Sequence, residues 1–162
     1  MAKETAEIYR SRLTKRWHNV PEIESQTVGD HTVGMLLLLM ALHPKPSADL
    51  YEAILRHDLA EIKWGDFPSN AKKEFPAIKK ADEIGAEEFA KDQELRDLKL
   101  SQDDKIWIEF LDKLEPLHYL QEQCFLKPKA QEIFVKLTER CNGLVEQLQF
   151  LGYLLEPDDT IH

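Results

Sequence analysis

The stretch Arg56-His57-Asp58-Leu59-Ala60-Glu61 places an imidazole and two carboxylates within little more than one helical turn. At about 3.6 residues per turn, a helix here would stack His57 over Glu61 and turn Asp58 by about 100° toward the side of Glu61. One helix face would then present a metal-ligand pair and a separate acid. A neutral imidazole with an anionic carboxylate suits a borderline divalent ion, and two ligands leave that ion under-coordinated. Further donors have to come from elsewhere. His31, preceded by Asp30, opens an apolar run ahead of this segment, and Asp112 lies beyond it in Phe110-Leu111-Asp112-Lys113-Leu114.

The elements that must position these residues follow from apolar periodicity and breakers. Residues 2–14 carry helix formers with Ile8, Tyr9 and Leu13 on one face, and the loop that follows holds Arg16, Trp17 and His18 before Asn19 and Pro21. Residues 32–43 are apolar nearly all round, which predicts a central helix with His31 at its start and His43 at its end. After Pro44 and Pro46, Ser47 caps a helix expected over 48–63, with the His57 stretch near its C-terminal end. Trp64-Gly65-Asp66-Phe67-Pro68-Ser69-Asn70 predicts a compact loop, Lys72 and Lys73 follow, and Pro76 permits a helix over 77–94. Ser101-Gln102-Asp103-Asp104 is a helix start, with Asp112 on the middle turns and Pro116 expected to kink the helix or begin a new turn. Residues 117–151 read as helical with a break at Pro128, and the acidic segment from Gly152 onward as a mobile tail. No strand-like alternation occurs, so the fold class is all-α.

Bland readings exist for each group. His57 could be solvated with Glu61 paired to Arg56 or Lys63, and Asp112 could pair with Lys113 or Lys105. Lys72 and Lys73 could be solvated surface, and Trp17 could be a core residue beside a solvated Arg16. Two buried acids near a helix C-terminus are costly, however, and a bound cation is the simplest compensation.

Whole-chain properties narrow the class. At 162 residues the chain fits one domain, 1–162. Cys124 and Cys141 lie far apart without CxxC spacing and the N-terminus has no signal-peptide pattern, so a reducing cytoplasm is expected. The longest apolar run, Met35 to Leu42, falls short of the roughly 20 residues a membrane span needs. A formal charge of −9 argues against nucleic acid as partner, while local lysines, arginines and metal ions can still hold the phosphates of a small ligand.

The order His31, then His57-Asp58, then Asp112, with Glu61 and Gly65-Asp66-Phe67-Pro68 behind it, resembles the metal set of the HD-domain phosphohydrolases. The resemblance implies a helical HD-domain bundle in which His31, His57, Asp58 and Asp112 hold a divalent metal: zinc, cobalt, manganese or magnesium. Glu61 would be the general base or water-orienting group and Asp66 the partner that protonates the departing sugar oxygen or positions the nucleophile, roles that could be exchanged. Arg16-Trp17 ahead of the first metal histidine looks like the 5'-deoxynucleotidase branch, where this pair contacts the nucleotide and the tryptophan crowds the position of a ribose 2'-hydroxyl. Lys72 resembles the phosphate-side lysine of that branch, with Lys73 beside it and His18 as a pocket-lining residue. The stretch from Arg16 to Lys72, about a third of the chain, is most similar to compact phage enzymes that remove triphosphate from dATP, which implies a host-cytoplasmic, homo-oligomeric protein, dimer or hexamer. Asp30 departs from the Glu usual before the histidine in the bacterial monophosphate branch. A deoxynucleoside monophosphatase and a non-catalytic nucleotide-binding module are the alternative functions; an all-helical oligomerisation module would retain neither metal nor pocket.

Overall fold

The structure, a computed structural model, describes residues 2–21, 23–123 and 128–154. Among these residues the chain forms seven α-helices and no strand: α1 (Ala2–Ser11), α2 (Val28–Leu42), α3 (Ala48–Arg56), α4 (Ser69–Glu74), α5 (Pro76–Asp92), α6 (Gln102–Gln123) and α7 (Pro128–Phe150), with a 3-10 turn at Leu59–Ile62. No helix of the described residues is long and apolar enough to cross a membrane. Cys124, Phe125 and the tail from 155 onward lie outside the described residues.

By contact the chain divides into two compact units. The first contains residues up to Val33 together with Leu55–Leu98; the second contains Gly34–Ile54 and the described residues from Lys99 onward.

In the first unit, α1 ends at Ser11, and the chain then runs beside the segment that opens α2. Arg16 N–H donates to the carbonyl of Gln26 (2.8 Å), Val28 N–H to Thr14 (2.9 Å) and Gly29 N–H to Arg12 (2.9 Å), with an isolated antiparallel bridge between Lys15 and Thr27. A Cβ at Gly29 would stand 3.0 Å from both the Cβ and the carbonyl oxygen of Arg12, so glycine permits this close approach. Helix α2 begins four residues earlier than the apolar run suggests. Thr27 explains the difference: its hydroxyl accepts from Asp30 N–H (3.1 Å) while Asp30 Oδ2 accepts from Thr27 N–H (3.2 Å), a reciprocal cap. His31 therefore stands on the first turn of α2.

The expected helix over 48–63 is also corrected. Helix α3 stops at Arg56, Asp58 has φ −116° and ψ 16°, and Leu59–Ile62 continues as a 3-10 turn. His57 and Asp58 occupy the break, so the stacking of His57 over Glu61 on one α-helical face does not occur. The predicted loop at Ser69-Asn70 instead opens the short helix α4, which carries Lys72 and Lys73. Phe75, at φ −122° and ψ 90°, separates α4 from α5, whose first residue is Pro76, as its missing N–H allows. On α5, Phe89 is buried and Ile84 is exposed.

The second unit holds a core of Met35, Leu39, Leu50, Ile54, Trp107, Phe110, Leu111, Leu117, Cys141, Leu144 and Leu148. Burying each large aliphatic side chain stabilises the unit by about 1.5–3 kcal/mol. Ser101 and Asp104 cap α6 reciprocally, as their spacing predicts: Ser101 Oγ accepts from Asp104 N–H (3.0 Å) and Asp104 Oδ2 accepts from Ser101 N–H (2.9 Å). Helix α6 continues through Pro116 to Gln123, so no new element begins there. Pro116 supplies no N–H to the carbonyl four residues back, that of Asp112. His43 follows the last residue of α2, accepts the Lys45 N–H at Nδ1 (3.1 Å) and packs with its ring tilted against Trp107 and Tyr153 at 4.8 and 5.1 Å. Burial lowers its pKa, with Asp104 opposing the shift.

Candidate metal centre

Breaking the helix at Arg56 aims the side chains of His57 and Asp58 at the start of α2. Asp58 is the hub. Its Oδ2 pairs with Arg16 Nη1 and lies 3.8 Å from His31 Nε2, while its Oδ1 lies 3.4 Å from His57 Nε2. The two imidazole rings are 6.3 Å apart, tilted 47°, and present nitrogen atoms within 4.8 Å of each other. Donors around one ion at bonds of 2.0–2.1 Å stand about 3.3 Å apart in a tetrahedral set, a spacing that the His57–Asp58 pair approaches and the His31–Asp58 pair exceeds slightly. Two imidazoles and a carboxylate form a donor set for a borderline divalent metal. His31 is fully buried, Asp58 is largely so, and His57 reaches the surface.

Glu61 reaches the same neighbourhood from the 3-10 turn. It is buried, and its Oε2 has no hydrogen-bond partner among the described residues. Burial, followed by the negative charges of Asp58 and Asp66, pushes its pKa up to about 9, against the pull of Arg16 and Lys72. Gly65 turns the chain away at φ +84° while its N–H donates to the Glu61 carbonyl (2.6 Å). Asp66 follows, half-buried and close enough to act on Glu61.

The loop after α1 carries Arg16 to this group and bends sharply. Trp17 adopts φ +61°, a conformation uncommon for a bulky side chain. Its Nε1 is buried without a hydrogen-bond partner among the described residues. His18 is exposed.

Lys72 is half-buried on α4 and pairs with Asp82 on α5 (Nζ to Oδ2, 2.6 Å), whereas Lys73 is exposed. Burial alone would lower the Lys72 pKa; the hydrogen bond to Asp82, with the charges of Asp82, Glu61 and Asp58, outweighs it and raises the pKa. The first unit thus brings together Arg16, His31, His57, Asp58, Glu61, Asp66 and Lys72. Asp112 belongs to the second unit, on the middle turns of α6, paired with Lys113. Sequence reasoning missed Asp82, which lies ten residues beyond Lys72 with no motif around it.

A family model described as HD domain matches residues 8–138. A comparison with curated proteins finds no significant match. Among solved structures, the chain is similar to the cyanophage S-2L HD phosphohydrolase (DatZ) bound to dA and one catalytic Zn2+ ion, at 24% identity and a TM-score of 0.70, over 91% of this chain and 92% of that one. The donor order read from the sequence, the helical fold and a family match over most of the length agree: the chain belongs to the HD domain family.

Proposed function

We propose that the protein is a metal-dependent phosphohydrolase of 2'-deoxynucleotides and that its substrate is dATP, split between the α-phosphorus and O5' into deoxyadenosine and triphosphate. The observation that carries this reading is the hub at Asp58, where two imidazoles and an arginine meet one carboxylate beside a buried acid. Asp112 is proposed as the fourth ligand with His31, His57 and Asp58, on the order of donors that the family shares. The family match runs from 8 to 138 and includes residues of both units, which supports one HD domain over 1–162. The similar cyanophage protein, bound to dA and zinc, supports a deoxynucleotide ligand.

In this reading water adds its oxygen to the α-phosphorus, the P–O5' bond breaks, and the sugar oxygen leaves after taking up a proton. A divalent cation in the site would polarise the phosphoryl oxygens and acidify the attacking water. Glu61 is the group that holds and releases the proton, because burial and two neighbouring carboxylates set its affinity. Asp66 orients the water or the leaving oxygen. Arg16 and Lys72 offset charge that develops on the phosphoryl group. Trp17 stacks against the sugar, leaving no space for a 2'-hydroxyl, and His18 and Lys73 line the entrance.

One observation favours a shorter phosphate tail. Lys73 is exposed and Lys72 already shares its charge with Asp82, so positive charge on the phosphate side is limited. That favours deoxynucleoside monophosphates as the second reading. Product analysis with dATP, dAMP, ATP and AMP on the zinc- or cobalt-loaded chain separates the two: triphosphate release from dATP supports the first, and phosphate release from dAMP alone supports the second. No turnover of any of them by metal-loaded protein would leave a nucleotide-binding module. A homo-oligomer is proposed as well, on the exposed apolar side chains Leu37, Met40 and Phe150, and light scattering in solution tests it.

A further inference from the structure

We infer that Asp82 is a positioning residue for the phosphate-side lysine, acting from α5 through a shared carboxylate. The inference rests on the reading of Lys72 given above. Asp82 divides its two oxygens between two partners: Oδ2 takes the Lys72 ammonium at 2.6 Å and Oδ1 accepts the Trp64 Nε1–H at 3.1 Å. Lys72 comes from α4 and Trp64 from the chain just beyond the 3-10 turn that carries Glu61. One carboxylate thus ties the Glu61 segment and the lysine-bearing helix to the same point on α5.

Gly85 makes the tie possible. A Cβ there would stand 2.0 Å from Cη2 and 2.7 Å from Cζ2 and Cζ3 of Trp64, so the outer edge of the indole closes on the backbone of α5 near Asp82. Glycine inside an α-helix costs about 1 kcal/mol relative to alanine, and the close approach of the indole accounts for its presence. Two contacts therefore fix Trp64, a hydrogen bond and ring packing, and Trp64 in turn fixes which way Asp82 presents its second oxygen.

The consequence for Lys72 is orientation and charge. A lysine on a six-residue helix with four rotatable bonds has many directions available, and its half-buried position disfavours the ammonium. Asp82 favours the charged form and holds the ammonium at 2.6 Å beside α5. An incoming phosphate then meets a donor already in place, so less side-chain ordering opposes binding even though Asp82 shares the charge.

The test uses the full zinc-loaded chain with dATP as substrate and inorganic triphosphate as binding probe. Asp82→Asn keeps the size and one acceptor for Trp64 but removes the charge. We expect its KM to rise about tenfold with kcat within about threefold of the parent, and Asp82→Glu to recover most of the loss. We also expect inorganic triphosphate to shift the indole N–H resonance of Trp64, identified by its absence in Trp64→Phe, and Lys72→Met to abolish that shift. An unchanged KM in Asp82→Asn, or an indole resonance that ignores triphosphate while Lys72→Met raises KM, overturns the role of Asp82 alone. If Lys72→Met leaves both KM and triphosphate affinity unchanged, the phosphate-side reading of Lys72 fails instead. A loss of activity in Asp82→Asn that Asp82→Glu does not recover, with kcat and melting temperature falling together, marks a purely structural contact and also overturns the inference.

Discussion

Glu61 is the residue whose physics departs furthest from its chemistry in water. Folded, it holds its proton up to about pH 9; unfolded, it releases the proton near its ordinary 4.5. A carboxyl with a raised folded pKa contributes stability in full below the unfolded value, and that contribution is lost as the pH rises through the interval. Glu61→Gln, neutral throughout, should therefore flatten the decline between pH 5 and 9 and be more stable than the parent at pH 8 by several kcal/mol. Urea unfolding at several pH values checks this, and parallel slopes for the two proteins would contradict it. The same substitution should lower kcat by about two to four orders of magnitude, the range typical of lost acid–base catalysis, while metal content stays unchanged.

Trp17 is strained in a way that spacing cannot reveal. A left-handed backbone costs a non-glycine residue roughly 1–2 kcal/mol, and such strain persists where the surroundings impose it, often at ligand sites. Trp17→Gly relieves the backbone and removes the ring. The melting temperature should fall by less than burial alone suggests, whereas the ratio of kcat/KM for dATP over ATP should drop about tenfold or more. An unchanged ratio would remove Trp17 from sugar discrimination.

At the scale of elements, the site depends on where helices begin and end. Thr27 and Asp30 start α2 early enough to put His31 on its first turn, so Thr27→Ala should cost about 1 kcal/mol by losing the cap and weaken metal affinity by loosening His31. Calorimetry and a zinc titration read the two effects; a loss of stability with unaltered zinc affinity would separate the cap from the site. His31, His57 and Asp58 could be picked out as candidate donors because imidazole and carboxylate bring metal-binding chemistry with them. The break at His57 was not. Residues 48–63 have no proline or glycine, and the 3-10 turn is set by tertiary placement of Asp58 and Glu61 rather than by local propensity. Of the two outcomes expected at Pro116, a kink or a new turn, the second does not occur: no new element begins. The proline removes one hydrogen bond, and packing of Leu111, Leu117 and Leu120 in the second unit carries α6 past it. Gly85 and Gly34 were silent in the sequence because each answers a partner far along the chain: Trp64 for one, and for the other the buried Glu115, whose Cγ would lie 2.6 Å from a new Cβ.

At the scale of the whole molecule, an acidic protein of net charge −9 is proposed to take a polyanionic substrate, which places the burden on local cations. Arg16 and Lys72 each have an acidic partner, Asp58 and Asp82, so the electrostatics that favour phosphate lie in arrangement rather than in excess charge. The all-α class followed from periodicity, and the family followed from donor order; the division into two units had no trace in composition or linkers, because α2 and α3 each run through the boundary.

His57 is proposed to hold a metal on which turnover depends. Metal content by mass spectrometry, measured together with product release from dATP on parent and His57→Ala protein purified in parallel, tests it most directly. About one divalent ion per parent chain with triphosphate released is expected, and loss of both in His57→Ala, while Glu61→Ala keeps the ion and loses the product. Full metal content and undiminished turnover in His57→Ala would contradict this role of His57.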